Sequence, residues 1–219
     1  MKIQWIFKQK GVTLIELLVA LVICAVVIGS IYRLFIVQTR AYTVQDQVVE
    51  VQQSVRGAME ILLRDLRMTG YDDDNAASTV TVPTPPIVMG AAGNSIAVSY
   101  EYFNTTTAQY ELHTVSYSDD ATMRLMRQLT VTPGGGGSNS TTESILENVD
   151  DLTFTYGIDT DENGSVDSWV AAAGVGTSKV IAVRASLTAR PPSLNPDVQA
   201  RVIPRTLNSA VSFRNLIMK

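Results

Sequence analysis

GVTLIELLVALVICAVVIGSIY, residues 11–32, runs from its second residue to its end with a single charge, Glu16. A helix rising ~1.5 Å per residue over that length spans the ~30 Å hydrocarbon core of a bilayer. Ahead of it lies MKIQWIFKQK, with Lys2, Lys8 and Lys10 and no acid. Lysines on that side hold the N-terminus in the cytoplasm and send the C-terminal part across the membrane. Three readings compete for the segment. One is a secretory signal removed whole, with Val27 and Gly29 as small residues near a cut. Another is a plain signal anchor. The third is a leader cut ahead of the apolar run, so that the helix is kept.

Glu16 separates them. An acidic side chain inside a membrane helix costs roughly 2.5–3.5 kcal/mol on insertion scales and is rarely kept without a partner. The first two readings give it none. GVTLIELLVAL resembles the type IV prepilin signature: a glycine, a hydrophobic residue, Thr, Leu, Ile, and then Glu at the fifth mature position. That resemblance implies cleavage by a prepilin peptidase between Gly11 and Val12 and methylation of the new amine on Val12. Valine stands where the family usually has phenylalanine, which keeps the first mature residue hydrophobic. Cleavage creates a cationic amine, and the Glu16 carboxylate can neutralise the amine of a neighbouring subunit. A buried pair of this kind sets register more surely than it adds net stability.

The helix is expected to continue. Val44, Val48, Val51, Val55, Met59, Leu62 and Leu66 recur at threes and fours, one apolar face of a helix, while Gln, Glu, Asp and Arg fill the other side. No proline interrupts the chain from Val12 to Arg67. Gly70 is placed to end the helix, and Arg64 and Arg67 complement its dipole. This predicts one helix of ~58 residues, about 87 Å long, with Gly29, Ser30 and Gly57 as weak points.

Beyond Tyr71 the pattern changes. Asp72, Asp73, Asp74 and Asn75 read as a solvated turn, and TVTVPTPP, residues 79–86, is too rich in proline for a helix. Strands are predicted at 95–103, 109–118, 122–130, 144–149, 152–158, 179–189 and 198–216, the last broken at Pro204. In VIAVRASLTAR, Val180, Ala182 and Arg184 alternate against Ile181, Val183 and Ala185, more clearly at the start than at the end. Pro133 to Gly137 reads as a loop tip. The expected fold is α+β and pilin-like: a long N-terminal helix packed on a mainly antiparallel sheet. It divides into a leader (1–11), a transmembrane and filament-core helix (12–37), an amphipathic helix on the head (38–70) and a β-rich head (71–219).

Charge and composition exclude several function classes. The chain has 17 Lys and Arg against 21 Asp and Glu; without the three leader lysines this becomes 14 against 21, or −7. Most of the remaining cations are scattered arginines, with no basic stripe interleaved with aromatics, so no nucleic-acid contact is expected. Cys24 stands alone in the apolar run as a small hydrophobe. His113 is the only histidine and lies in an alternating predicted strand, so it reads as a strand side chain rather than a catalytic base, and no His-rich metal site can be assembled. Asp119-Asp120 and Asp150-Asp151 fall at predicted strand ends, where turns favour Asp. No enzyme is read from the sequence.

One pattern in the head offers a metal. In DTDENGSVD, Asp159, Asp161, Asn163, the Ser165 carbonyl and Asp167 take positions one, three, five, seven and nine of an EF-hand-like loop, with Gly164 at the turn. Val170 stands where the bidentate acid at position twelve belongs. The same residues also suit an Asn-Gly hairpin turn leading to a short strand near 166–170. Calcium and a plain turn both remain open at this stage.

LLRDLRMTGYDD, AVRASLTAR and LNSAVSFRNLIMK are similar to blocks of PilW-type minor pilins and, more loosely, of J-type minor pseudopilins. The resemblance implies a structural subunit of a type IV pilus initiation or tip complex. Its partners would be the prepilin peptidase, other minor and major pilins and a large tip adhesin. The chain would sit in the inner membrane with a single pass and a periplasmic head, then pass to the cell-surface pilus. The alternatives are a J-type pseudopilin of type II secretion and, in another class, a membrane-anchored calcium-dependent binding protein.

Overall fold

The computed structural model describes residues 11–73, 78–191 and 203–217. The leader before Gly11, Asp74, Asn75 and the start of the last predicted strand lie outside them. Among the described residues a long helix, α1 (Leu14–Arg67), is followed by nine strands: β1 (Ile87–Met89), β2 (Ser95–Asn104), β3 (Gln109–Asp119), β4 (Arg124–Pro133), β5 (Asn139–Glu147), β6 (Val149–Asp159), β7 (Ser168–Val170), β8 (Lys179–Ala189) and β9 (Arg205–Ser212). A short helix, α2 (Arg214–Ile217), follows β9. The chain divides into two compact units, one up to Asp46 and one from Gln47 onward, and α1 contributes to both.

In the first unit the helix starts at Leu14 rather than Val12. Thr13 explains the difference: its hydroxyl accepts from the Glu16 amide at 3.4 Å and faces the Glu16 carboxylate at 3.5 Å, a Thr-x-x-Glu capping arrangement. The apolar side chains from Val12 to Phe35 are left bare, with Leu14 82 % exposed. The helix is long and apolar enough to cross a membrane. Ser30, Thr39 and Thr43 donate to carbonyls four residues back, at 2.9, 2.9 and 3.1 Å, which satisfies their hydroxyls without water.

The second unit holds the core. The stripe predicted for the outer helix is buried at Val51, Val55, Met59, Leu62 and Leu66, joined by Ala58 and Leu63. Each large side chain of this kind contributes about 1.5–3 kcal/mol of transfer free energy. They pack in one cluster with Ile96, Val98, Val115, Tyr117 and Leu125, and with Phe154, Tyr156, Val183, Leu187 and Phe213. The polar side of the helix is less uniform than its composition suggested, because Gln47 and Asp65 are buried too. Gly70 ends the helix with φ +70°, and a Cβ there would lie 2.8 Å from Leu216. Both facts require glycine.

The strands form two antiparallel sheets where the sequence suggested one: β1-β2-β3-β4-β5 and β7-β6-β8-β9. The change of sheet occupies one residue, Asn148, whose φ of +56° turns the chain between β5 and β6. Asparagine tolerates that region better than most residues. Other boundaries move as well. β5 begins five residues before its predicted start, and β4 runs from Arg124 to Pro133, so Pro133 belongs to a strand and the loop tip starts at Gly134. Asp150 and Asp151 lie inside β6, not at a strand end. β1 was not foreseen; it is three residues long and follows two prolines. The strand after Pro204 stops at Ser212 and gives way to α2. In β8 the alternation is cleaner in its second half, with Val183, Ala185, Leu187 and Ala189 buried around less buried neighbours. Ala182 disturbs the first half because it packs beside Gly157, where a Cβ would meet it at 3.1 Å.

Candidate functional site

Gly11 and Val12 lie ahead of α1 in non-helical backbone, and both are exposed, Val12 by 70 %. A peptide bond held outside the helix and open to solvent is what a protease needs, and the Thr13 cap is what keeps it outside. Glu16 is exposed in the first turn. Its backbone amide also reaches the Thr13 carbonyl at 3.1 Å. The carboxylate therefore sits at the positive end of the helix dipole, beside the site of the amine that cleavage would create. Thr13 was read only as part of the motif, though threonine three residues before a glutamate is itself a cap signal.

In the head, Asp65 is 4 % exposed and has three partners, the neighbouring Arg64 at 3.6 Å and two donors from the sheet. The Tyr117 hydroxyl on β3 donates to it at 2.6 Å, and the Arg127 Nε on β4 donates at 2.7 Å. Arg127 also reaches Glu143 on β5 through Nη1 at 2.9 Å. One carboxylate thus ties α1 to the middle of the five-stranded sheet. Burial pushes the Tyr117 hydroxyl far up, and its bond to Asp65 adds to this, so it remains a donor. Burial opposes the Arg127 charge, but the hydrogen bond and charge of Asp65, with Glu143 beyond, hold the guanidinium above its usual range. This is a clamp with no reacting group exposed.

His113 lies in β3 as expected. Its Nε2 is 3.1 Å from Glu111, whose other oxygen accepts from Asn104 at 2.8 Å, and its ring stacks on Tyr102 at 4.7 Å. Asn104 and His113 hold the Glu111 carboxyl below the usual range. The acidic turn after α1 is anchored rather than merely solvated. The Asp73 amide donates to the buried Glu101 at 2.8 Å, Ser78 donates to the same carboxylate, and Asp73 accepts from the Tyr110 hydroxyl at 2.8 Å. The sequence also gave no hint that Arg184 would lie over the Trp169 ring, 4.2 Å from its centroid.

The loop between β6 and β7 brings Asp159, Asp161 and Asp167 together, with one oxygen of each within 4.8 Å of the others. Asp159 is buried and accepts the amides of Asn163 at 3.2 Å and Gly164 at 2.8 Å. Asp161 accepts the Asn163 side-chain amide at 2.8 Å, and the Asn163 side-chain oxygen Oδ1 accepts the Ser165 backbone amide at 2.7 Å. Asp167 accepts both the amide and the hydroxyl of Thr160, which hold its carboxyl below the usual range. Gly164 turns the chain at φ +81°. Val170 is half-buried in β7 and pairs with Tyr156, so the twelfth position supplies no ligand.

Two family models match the chain. The prokaryotic N-terminal methylation motif covers residues 6–32. The type IV pilus-assembly protein W model covers residues 109–211, from β3 to almost the end of β9. The chain is type IV pilin-like, and most like PilW-type minor pilins. No curated protein matches the chain at a significant level. The two matches fall on the capped apolar helix and on the strands of the head, the parts whose geometry is given above. A pilin-type methylation motif together with an apolar helix fits a membrane-anchored pilus component that the prepilin peptidase processes and that has other pilins as partners.

Proposed function

We propose that this chain is a minor pilin of a type IV pilus initiation or tip complex, required for pilus assembly. The observation that carries this reading is the exposed Gly11–Val12 junction directly ahead of a capped helix bearing Glu16, on a chain whose head resembles PilW. The peptidase cuts that junction, Val12 receives the methyl group, and the bare helix packs among the helices of other pilins. Glu16 neutralises the amine of the next subunit as it leaves the membrane. The head then meets other minor pilins and a large adhesin at the cell surface. Its work is structural rather than catalytic.

The prediction is direct. Glu16→Ala inserts and is cut, giving a mature N-terminus at Val12 by mass spectrometry, but is depleted from sheared pili by about tenfold or more. Normal incorporation of that variant would remove the role of Glu16. Deleting the gene should abolish or reduce piliation and leave enzyme secretion intact. The reverse result would favour a J-type pseudopilin.

The three carboxylates of the β6–β7 loop support a second reading for the head, a calcium site formed by Asp159, Asp161, Asn163, the Ser165 carbonyl and Asp167. Hard oxygens at alternate positions suit that cation, and the missing acid at Val170 places the expected Kd at about 0.1–1 mM, in the extracellular range. Calcium added to the full chain should raise Tm, and Asp161→Ala with Asp167→Ala should remove the rise. Neither heat nor a melting shift on titration would end the metal claim.

A further inference from the structure

The outer face of the four-stranded sheet carries two large side chains on a floor of small ones. In β6 the alternation that buries Phe154 and Tyr156 turns Thr153 and Thr155 outward, and in β8 it turns Arg184 and Ser186 outward. Trp169 in β7 pairs with Gly157, Gly157 with Ala182, and Arg184 with Ala210, so the tryptophan and the arginine stand beside glycine and alanine. Gly157 has no room for more, since a Cβ there would lie 3.0 Å from Val166. One row further along, Thr153, Ser186 and Asn208 pair across three strands and give the same face two hydroxyls and an amide.

The two large residues and one of their neighbours are left with unmet bonding capacity. Arg184 is exposed, and its guanidinium lies 4.2 Å from the Trp169 ring centroid. In a chain of net charge −4 it has no carboxylate partner among the described residues. Thr155, its cross-strand neighbour, has a buried hydroxyl with no hydrogen-bond partner. A buried hydroxyl left unpaired weakens the fold that holds it. Trp169, the one tryptophan beyond residue 5, is half-buried on a strand of three residues.

The side chains present define the ligand. A guanidinium fork matches a carboxylate, an indole face takes an apolar ring, and hydroxyls and amides take other hydroxyls. A protein partner would bury apolar side chains around such an anchor, and this floor offers only glycine and alanine. A uronic acid carries its carboxylate on the sugar ring, so one sugar can lie on the indole and still reach a guanidinium this close. We propose that the face binds an acidic polysaccharide, with one uronate ring on Trp169, its carboxylate on Arg184, and sugar hydroxyls on Thr155, Ser186 and Asn208. Arg184 turns from the indole toward the carboxylate and the sugar takes its place on the ring. That movement uncovers the Thr155 hydroxyl for a partner. This binding activity is separate from the assembly reading and does not depend on it.

The test uses the full chain in detergent micelles with Trp5→Phe, which leaves Trp169 as the only tryptophan. EDTA is present, so that no metal on the β6–β7 loop bridges the sugar to the protein. Titration with trigalacturonate should change Trp169 emission and saturate, while the neutral trigalactose should bind about tenfold more weakly or less. Arg184→Gln should weaken trigalacturonate by about tenfold or more, and Arg184→Lys should recover part of the loss. Thr155→Val should keep or raise Tm, because it removes an unpaired buried hydroxyl, and yet weaken binding by about threefold or more. A Trp169→Ala chain followed by calorimetry should give no heat with the sugar. No saturable change with trigalacturonate, equal binding of the neutral sugar, or an Arg184→Gln chain that binds normally would overturn the proposal. Equal binding of triglutamate would overturn it too, since the face would then receive peptide carboxylates instead of sugar.

Discussion

Removing the Tyr117 hydroxyl takes one donor from the Asp65 carboxylate where water reaches it poorly, while Arg127 still pairs with it. Tyr117→Phe is therefore expected to cost about 1–3 kcal/mol. Arg127→Met removes the buried cation at 2.7 Å and leaves the Asp65 anion only the exposed Arg64 at 3.6 Å, so it should cost about 3–5 kcal/mol. Denaturation of a chain that begins at Val12, whose one tryptophan is Trp169, followed by its fluorescence reads both. A smaller loss for Arg127 than for Tyr117 would mean that water solvates Asp65 after all. Glu16 could be read from the sequence because one acid in an apolar run is anomalous by itself. Asp65 could not. A helical pattern sorts residues by type, and the donors that make burial of Asp65 tolerable lie 52 and 62 residues away on other strands.

Elements with strong local signals were legible, and those fixed by distant contacts were not. The end of α1 had three local marks, Arg64, Arg67 and Gly70, and the helix ends at Arg67. Gly70→Ala should show how much that end matters. Its positive φ costs an alanine about 1–2 kcal/mol, and the new Cβ would also crowd Leu216, 2.8 Å away. The expected loss is thus at the top of that range or above, read as a shift in denaturation midpoint. A neutral outcome would mean that α2 moves freely aside. β8 matched its predicted bounds residue for residue because its run of Val, Ile and Thr is bounded by lysine and proline. The division into two sheets escaped notice because a single asparagine with positive φ, between strands of similar composition, carries almost no sequence signal.

At the scale of the whole molecule the carboxylates set the response to acid. Asn104 and His113 depress Glu111, Thr122 and Arg124 hold Asp120 down to about 2, and Thr160 depresses Asp167. A carboxyl whose folded pKa lies below its unfolded value adds stability that is present above the unfolded pKa and is lost as pH falls through the folded one. Stability of the mature chain should therefore stay level from neutral pH to about 5 and decline below about 4, the ordinary carboxylate range. The three groups do not count equally. Asp120 and Asp167 face solvent, where water and salt screen their partners. Glu111 is 8 % exposed, and protonation there takes away the charge that strengthens its contacts with Asn104 and His113 in the β2–β3 pair. Glu111→Gln should lower Tm at pH 7 and also flatten the decline below pH 4, because the variant has no proton left to gain. If Tm against pH falls as steeply for the variant as for the parent chain, the acid response belongs to other groups and the Asn104–Glu111–His113 chain is only a packing feature.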